Sequence, residues 1–279
     1  MELNMSRAIE ELISPHKFTP RIITDKVNFE EEWDNRRDWV LSNLSHIAYF
    51  RDEDVKAFMA TLGAKETKFY GNKGAQAFLA KWDDKAVLAF RGTQLMEHLP
   101  KDYEHLNFLY RLYIHILIKF RFNISKLPFI HNDVIADFRF CHARLTRTKG
   151  VKVHSGFLIE TKKLWKQIIK DIRSFEGEIP LWTTGHSLGG AMAVITAMKY
   201  PVKEVFSFGS PRVGIRIKKV LSKDMHTRYV NGKDIVTKVP PSWLYYLHHG
   251  QIRHLRNKEE NLFLDHSIID YSKEILKNE

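Results

Sequence analysis

Residues 183–190 read Thr-Thr-Gly-His-Ser-Leu-Gly-Gly, and this stretch decides the fold. The apolar and β-branched residues at 179–184 predict a buried strand, and the Ala- and Met-rich segment 191–200 predicts a helix that ends before a proline. Between them lies Gly-x-Ser-x-Gly, the pattern of a nucleophile elbow, in which a tight turn holds a serine above the edge of a sheet. Glycines flank the serine because other side chains would crowd the turn. The stretch predicts Ser187 as a nucleophile, and a plain glycine-rich turn is the alternative.

Two backbone segments are candidates for binding an oxyanion. The N–H of Leu188 would lie at the N-terminus of the predicted helix, where unpaired amides stabilise negative charge. Arg91-Gly92-Thr93 follows a predicted hairpin, and in hydrolase sheets the loop after such a strand supplies the second donor. Thr93 offers a backbone N–H and a hydroxyl for this purpose, with an ordinary turn as the alternative.

Composition is that of a globular chain with a full core. The chain has 279 residues, of which 44% are hydrophobic and 28% are charged, and this length suits one α/β domain with an insertion. We find no repeat or low-complexity linker and therefore expect a single domain over 1–279. The one cysteine, Cys141, excludes an internal disulfide, which fits a reducing compartment or a secreted bacterial enzyme without disulfides.

The net charge of +11 makes nucleic acid and an anionic membrane surface candidate partners. Basic residues concentrate locally at 111–126 and 253–258, but neither segment resembles a nucleic-acid-binding motif, so no nucleic-acid partner is expected. A solvated basic surface is the alternative explanation for the charge. The N-terminus has no signal-peptide pattern, and no run of about 18 apolar residues predicts a spanning helix. We therefore expect a cytoplasmic or peripheral membrane location.

Hydrophobic periodicity predicts alternating helices and strands, which favours a mainly parallel sheet. Residues before about 28 are predicted to be an irregular arm. The predicted helices are 29–50, 52–62, 154–175 and a last one from about 267. The predicted strands are 65–70, 75–82, 85–90, 151–153, 205–208 and 226–231, with 75–82 and 85–90 forming a hairpin.

The segment 104–122 is unusually apolar. If it is helical, its polar residues form one narrow stripe, and the rest of its surface is Leu, Ile, Tyr and Phe. Such a helix must be covered by protein or lie on lipid. An active-site lid and a core helix with a polar edge are the two interpretations.

A serine nucleophile needs a base and an acid. A histidine takes the serine proton because its pKa lies near neutral pH, and a carboxylate fixes its tautomer. In parallel-sheet hydrolases these residues follow in the order Ser, Asp or Glu, His. Asp234 follows the strand after the elbow, and several histidines lie beyond it.

Five segments together carry a resemblance to a known family. The sequence resembles the class 3 (fungal-type) lipase family over roughly residues 40–270, in the family's order. The matching segments are Phe90-Arg91-Gly92-Thr93, His154-Ser155-Gly156-Phe157, Gly185-His186-Ser187-Leu188-Gly189-Gly190, Phe208-Gly209-Ser210-Pro211-Arg212-Val213-Gly214, and 231–241, which reads Asn-Gly-Lys-Asp-Ile-Val-Thr-Lys-Val-Pro-Pro. The resemblance implies an α/β-hydrolase fold with a mainly parallel central sheet flanked by helices.

The resemblance also implies the roles of individual residues. Ser187 would be the nucleophile, Asp234 the triad acid, and Thr93 with Leu188 the oxyanion hole. The triad histidine of the family lies just before the last hydrophobic segment, a place that His266 matches. His248 and His249 match a family histidine that is not the base. A metal site formed by His248, His249 and His254 is a remote alternative, and neither a metal nor a cofactor is expected.

The chain departs from the family in the insertion at 94–131, which is longer and more aromatic than a family lid. We expect hydrolysis of carboxylic esters of lipids, with triacylglycerol as the first substrate, and contact with a membrane or lipid interface through this insertion. Phospholipase A1 activity at anionic membranes is one alternative. A membrane-binding protein on a hydrolase scaffold, with catalysis lost, is another.

Overall fold

The computed structural model describes residues 7, 10–12, 14–92, 142–145, 150–174, 179–240, 242–255, 261–262 and 264–278. The insertion predicted at 94–131 and the candidate oxyanion residue Thr93 lie outside these residues. Every helix in the described part of the chain is too short or too polar to cross a bilayer.

Seven α-helices lie wholly within the described residues. They are α1 (Arg21–Thr24), α2 (Phe29–Asn35), α3 (Arg37–Ile47), α4 (Asp52–Thr61), α5 (Ser155–Arg173), α6 (Leu188–Lys199) and α7 (Ile268–Lys277). Short 3-10 helices also occur, one of which, Leu264–His266, comes directly before α7.

The strands form two sheets. They are β1 (Glu66–Asn72), β2 (Ala75–Lys81), β3 (Ala86–Phe90), β4 (His142–Arg144), β5 (Lys152–His154), β6 (Leu181–His186), β7 (Glu204–Phe208), β8 (Gly214–Ile215), β9 (His226–Asn231) and β10 (Gln251–Leu255). The larger sheet has the order β1-β2-β3-β6-β7-β9-β10, and the smaller has the order β4-β5-β8. From β3 to β10 every pairing in the large sheet is parallel, as the sequence predicted.

Both faces of the large sheet are covered. Residues alternate along the strands between two apolar clusters, so that Leu88 of β3 joins one cluster while its neighbour Val87 joins the other. The first cluster includes α5 and α6, and the second includes α2, α3, α4 and α7. Burial of both faces is typical of parallel sheets, whose strands are apolar throughout.

Three local predictions were wrong. The helix expected at 29–50 is divided at Arg36, whose backbone angles (φ −135°, ψ 51°) are not helical. The irregular arm before residue 28 contains α1, which buries Ile22. Strand β10 was missed because four of its five residues are exposed, so no apolar alternation marks it.

Candidate active site

The elbow lies between β6 and α6. Ser187 takes a left-handed backbone angle (φ 58°), which few residues other than glycine adopt. A Cβ atom on Gly185 would lie 2.4 Å from the carbonyl carbon of Gly189, and one on Gly189 would lie 2.2 Å from the carbonyl oxygen of Phe90. The close approach of strand, turn and helix therefore requires glycine at both positions.

Three predicted side chains meet at this turn. Ser187 Oγ lies 3.0 Å from Nε2 of His266, and Nδ1 of the same ring lies 2.8 Å from Oδ2 of Asp234. All three residues are buried, and Asp234 is fully so. Because a carboxylate only accepts, Nδ1 carries the proton, and Nε2 is left to accept from the serine hydroxyl. His248 and His249 make no contact of this kind with the serine in the described residues.

The carboxylate of Asp234 is held by two further donors. The backbone N–H of Val236 donates to Oδ1 at 2.8 Å, and the hydroxyl of Tyr271 donates to Oδ2 at 2.7 Å. The tyrosine oxygen in turn accepts from the backbone N–H of Asn231 at 3.0 Å. These bonds fix the carboxylate so that it faces the ring of His266. Tyr271, on α7, was not predicted from the sequence.

The backbone around His266 is fixed from the neighbouring residue. The carboxylate of Asp265 accepts from the backbone N–H of Lys233 at 2.7 Å and from that of Asn261 at 3.0 Å. The side-chain amide of Asn231 donates to the carbonyl of Asp265 at 3.2 Å. The turn that carries the acid and the turn that carries the histidine are thus joined directly.

Of the two candidate oxyanion donors, the structure describes one. The amide of Leu188 is the first of α6, directly after Ser187, and has no acceptor among the described residues. Such an amide at a helix N-terminus can donate to a negatively charged oxygen. Thr93 is outside the described residues, but its neighbour Gly92 is not. A Cβ on Gly92 would lie 2.7 Å from the carbonyl oxygen of His186, so the end of β3 packs against the elbow.

The remaining histidines do not form a metal site in the part of the chain that is described, where no group of three His, Cys, Asp or Glu residues could hold an ion. His249 contacts the ring of His226 at 3.3 Å and the carbonyl of Leu221 at 3.0 Å. Burial lowers the pKa of His248 to about 3. His254 lies apart, on the exposed strand β10.

Comparison with known proteins shows a similarity to lipases over part of the chain. Residues 130–243 match the family model described as "Lipase (class 3)". The lipase of Rhizomucor miehei is 31% identical over 132 residues, an alignment that covers 42% of this chain and 36% of the relative. Over these residues, which make up less than half of its length, the chain is similar to the class 3 lipase family. It aligns with little more than a third of that curated relative, 36% of its length.

Solved structures agree with this placement of the fold. The structure of a Rhizomucor miehei lipase propeptide complex superposes with a TM-score of 0.54 at 18% identity, covering 88% of this chain and 79% of the other chain. The prediction of an α/β-hydrolase fold is therefore confirmed.

Another relative differs in its named substrate. "Phospholipase A(1) DAD1, chloroplastic" of Arabidopsis thaliana is 36% identical to this chain over 110 residues, covering 33% of this chain and 25% of the relative. The chain is thus similar both to a relative named lipase and to one named phospholipase A(1). These similarities alone do not decide between the two substrates.

Proposed function

We propose that this protein hydrolyses carboxylic ester bonds of lipids through a triad of Ser187, His266 and Asp234. The observation that carries the proposal is the unbroken line of hydrogen bonds from the serine hydroxyl through the imidazole to a buried carboxylate. A protein that kept only a membrane-binding role would have no use for this alignment. The aligned groups therefore favour an enzyme over a scaffold that has lost catalysis.

The first half of the reaction forms an acyl-enzyme. Ser187 Oγ attacks the ester carbonyl carbon as its proton passes to Nε2 of His266, and Asp234 stabilises the resulting imidazolium. The amide of Leu188 donates to the oxyanion of the tetrahedral intermediate, and we propose Thr93 as its second donor. When the intermediate collapses, the ester C–O bond breaks, and the leaving alcohol takes the proton from His266.

The second half returns the enzyme to its starting state. A water molecule loses a proton to His266 as its oxygen attacks the acyl carbon. The second tetrahedral intermediate collapses with cleavage of the bond to Ser187 Oγ, which recovers the proton from the imidazolium. The carboxylic acid is released, and no cofactor takes part in either half.

A lipid surface as the site of action has support from one exposed loop. Trp243 is 74% exposed, Tyr245 is 72% exposed and Leu247 is 50% exposed, while Tyr246 between them is fully buried and anchors the loop. Tryptophan and tyrosine prefer the boundary between water and lipid, where the ring is apolar and its N–H or O–H remains hydrated. We propose peripheral contact with a lipid interface through this loop. Contact through 94–131 remains a prediction.

Phospholipase A1 activity is the second candidate function. Its specific support is the net charge of +11, which would attract the protein to anionic phospholipid, together with the relative named phospholipase A(1). Triacylglycerol hydrolysis has its support in the relative named lipase. Both substrates use the same triad chemistry.

One experiment tests the proposed activity and distinguishes between the candidate substrates. Hydrolysis of p-nitrophenyl butyrate, a triolein emulsion and phosphatidylglycerol vesicles is measured for the wild type, Ser187→Ala and Ser222→Ala. Ser222→Ala is the control, because it removes an exposed serine that is not part of the triad. We expect activity that Ser187→Ala abolishes and Ser222→Ala retains. Hydrolysis that persists in Ser187→Ala, or a wild type inactive on all three substrates, would refute the proposal.

A further inference from the structure

A second line of buried hydrogen bonds runs from His266 through His186 to Tyr49. Nε2 of His186 lies 2.8 Å from the backbone carbonyl oxygen of His266, and Nδ1 of His186 lies 2.8 Å from the hydroxyl of Tyr49. The tyrosine hydroxyl is also hydrogen-bonded by the backbone of Gly92. The two histidine rings lie against each other with centroids 4.5 Å apart.

The partners fix the position of every proton in this line. A carbonyl oxygen only accepts, so Nε2 of His186 carries the hydrogen. Burial, followed by the nearby charge of His266, lowers the pKa of His186 well below its usual value, so the ring is neutral and Nδ1 has a lone pair. The hydroxyl of Tyr49 therefore donates to Nδ1 and accepts from the N–H of Gly92. Each hydrogen bond in the line therefore runs in one direction.

The line joins three segments that the reaction needs and that are far apart in sequence. Tyr49 follows α3, His186 immediately precedes the nucleophile, and Gly92 immediately precedes Thr93. Asp234 holds the ring of the triad histidine, and Asp265, its chain neighbour, is bonded to Lys233. The bond from His186 holds the backbone carbonyl of His266.

We infer that Tyr49 and His186 are positioning residues for the triad. They hold the backbone of His266 so that its ring stays between Ser187 and Asp234. They also hold Gly92, the residue before Thr93, against the elbow. This inference rests on the proposed function. Neither residue touches the reacting atoms, so their contribution is to the geometry in which proton transfer occurs.

The test compares three substitutions with one matched control. Tyr49→Phe removes one hydroxyl, His186→Leu removes both ring nitrogens, and His186→Gln keeps an amide N–H that can donate to the carbonyl of His266. Tyr70→Phe is the control, because it removes a buried tyrosine's hydroxyl hydrogen bond (3.0 Å to Asp171) that has no link to the triad. Hydrolysis of p-nitrophenyl butyrate and the rate of labelling by a fluorophosphonate are measured at 25 °C, where circular dichroism verifies that each variant is folded.

We expect Tyr49→Phe to lower kcat about tenfold with little change in KM, because a misplaced base acts on the transition state more than on bound substrate. His186→Leu should lose more, and His186→Gln should recover part of that loss. Labelling of Ser187 should slow in the same order, and Tyr70→Phe should match the wild type. A merely structural role would not produce the split between kcat and KM or the recovery by glutamine.

Two results would overturn the inference. One is a folded Tyr49→Phe enzyme with wild-type kcat and labelling rate. The other is a ¹⁵N NMR spectrum of the wild type in which His186 is protonated on Nδ1 instead of Nε2, or is cationic at pH 7. This second test does not depend on whether the variants fold. A wild type that neither hydrolyses esters nor reacts with the fluorophosphonate refutes the proposed function instead, so the two failures are distinguishable.

Discussion

At the scale of single residues, Tyr271 connects the last helix to the triad acid. Its buried hydroxyl donates to Asp234 at 2.7 Å and accepts from the backbone N–H of Asn231 at 3.0 Å. Tyr271→Phe would leave a buried amide and a buried carboxylate each without one partner. Unmade hydrogen bonds of this kind cost about 1–3 kcal/mol.

We therefore expect Tyr271→Phe to lower the free energy of unfolding by about 1–3 kcal/mol and to reduce kcat, because Asp234 becomes free to rotate away from His266. Urea unfolding followed by circular dichroism gives the first quantity, and hydrolysis of p-nitrophenyl butyrate the second. Tyr70→Phe is the matched control for stability. Equal unfolding curves for wild type and Tyr271→Phe would contradict the role assigned to this hydroxyl.

Some residues of the candidate site were predicted from the sequence and others were not. The elbow motif predicted Ser187, the order of residues along the chain predicted Asp234, and the position of the family's histidine predicted His266. The structure brings these three side chains together. Tyr271, His186 and Tyr49 belong to no motif that reveals their partners. Their bonds join residues 37, 80 and 137 positions apart. Only the folded sheet brings such residues together, so no local spacing could have indicated them.

At the scale of secondary structure, the elbow makes a sharp prediction about its glycines. A methyl group on Gly189 would lie 2.2 Å from a backbone oxygen of β3 and cannot be relieved by the movement of a flexible side chain. Gly189→Ala must therefore push α6 away from the sheet. Gly71→Ala is the control, because a methyl group at Gly71 on β1 meets nothing within 4 Å.

We expect Gly189→Ala to destabilise the protein by about 1–3 kcal/mol or more, as overpacking does, and to abolish ester hydrolysis. Gly71→Ala should leave both properties close to those of the wild type. Thermal unfolding and p-nitrophenyl butyrate hydrolysis measure them. A Gly189→Ala protein with an unchanged melting temperature would show that the strand and the helix are not in the close contact described above.

The elements that the sequence predicted are those with strong local signals. The hairpin β2–β3 has two apolar runs separated by Asp83-Asp84, and the elbow strand and helix have distinct compositions. The break at Arg36 has no proline or glycine to mark it, and β10 carries polar residues on an exposed edge. Pairing with β9, not local propensity, determines the strand β10.

At the scale of the whole molecule, the exposed loop of Trp243, Tyr245 and Leu247 predicts how the protein meets lipid. Trp243→Ser with Tyr245→Ser should weaken binding to phosphatidylglycerol vesicles and reduce hydrolysis of a triolein emulsion, while hydrolysis of soluble p-nitrophenyl butyrate is retained. Vesicle sedimentation measures the binding. Ile159→Ser is the control, since Ile159 is an exposed apolar residue on α5 (42%) outside this loop. Unchanged vesicle binding by the double variant would exclude the loop as the contact.

Buried neutral histidines make the stability of the whole molecule depend on pH. Burial lowers the pKa of His46 to about 4 and that of His248 to about 3, and it lowers those of His186 and His226 well below their usual value. The unfolded chain, in which a histidine has a pKa of about 6.5, therefore binds more protons than the folded protein below that pH. The free energy of unfolding should be greatest above about pH 6.5 and should fall as the pH is lowered towards 4.

The share of one histidine in this dependence can be isolated at His46, whose Nε2 donates to the carbonyl of Pro15 at 2.8 Å. Glutamine can keep that bond but binds no proton, so His46→Gln should reduce the proton uptake on unfolding by about one. Between pH 6 and 4.5 the slope of unfolding free energy against pH should then become shallower by about 1.4 kcal/mol per unit. Urea titrations at a series of pH values give the slope. If His46→Gln leaves the slope unchanged, His46 takes up no proton on unfolding in this range and is already charged in the folded protein.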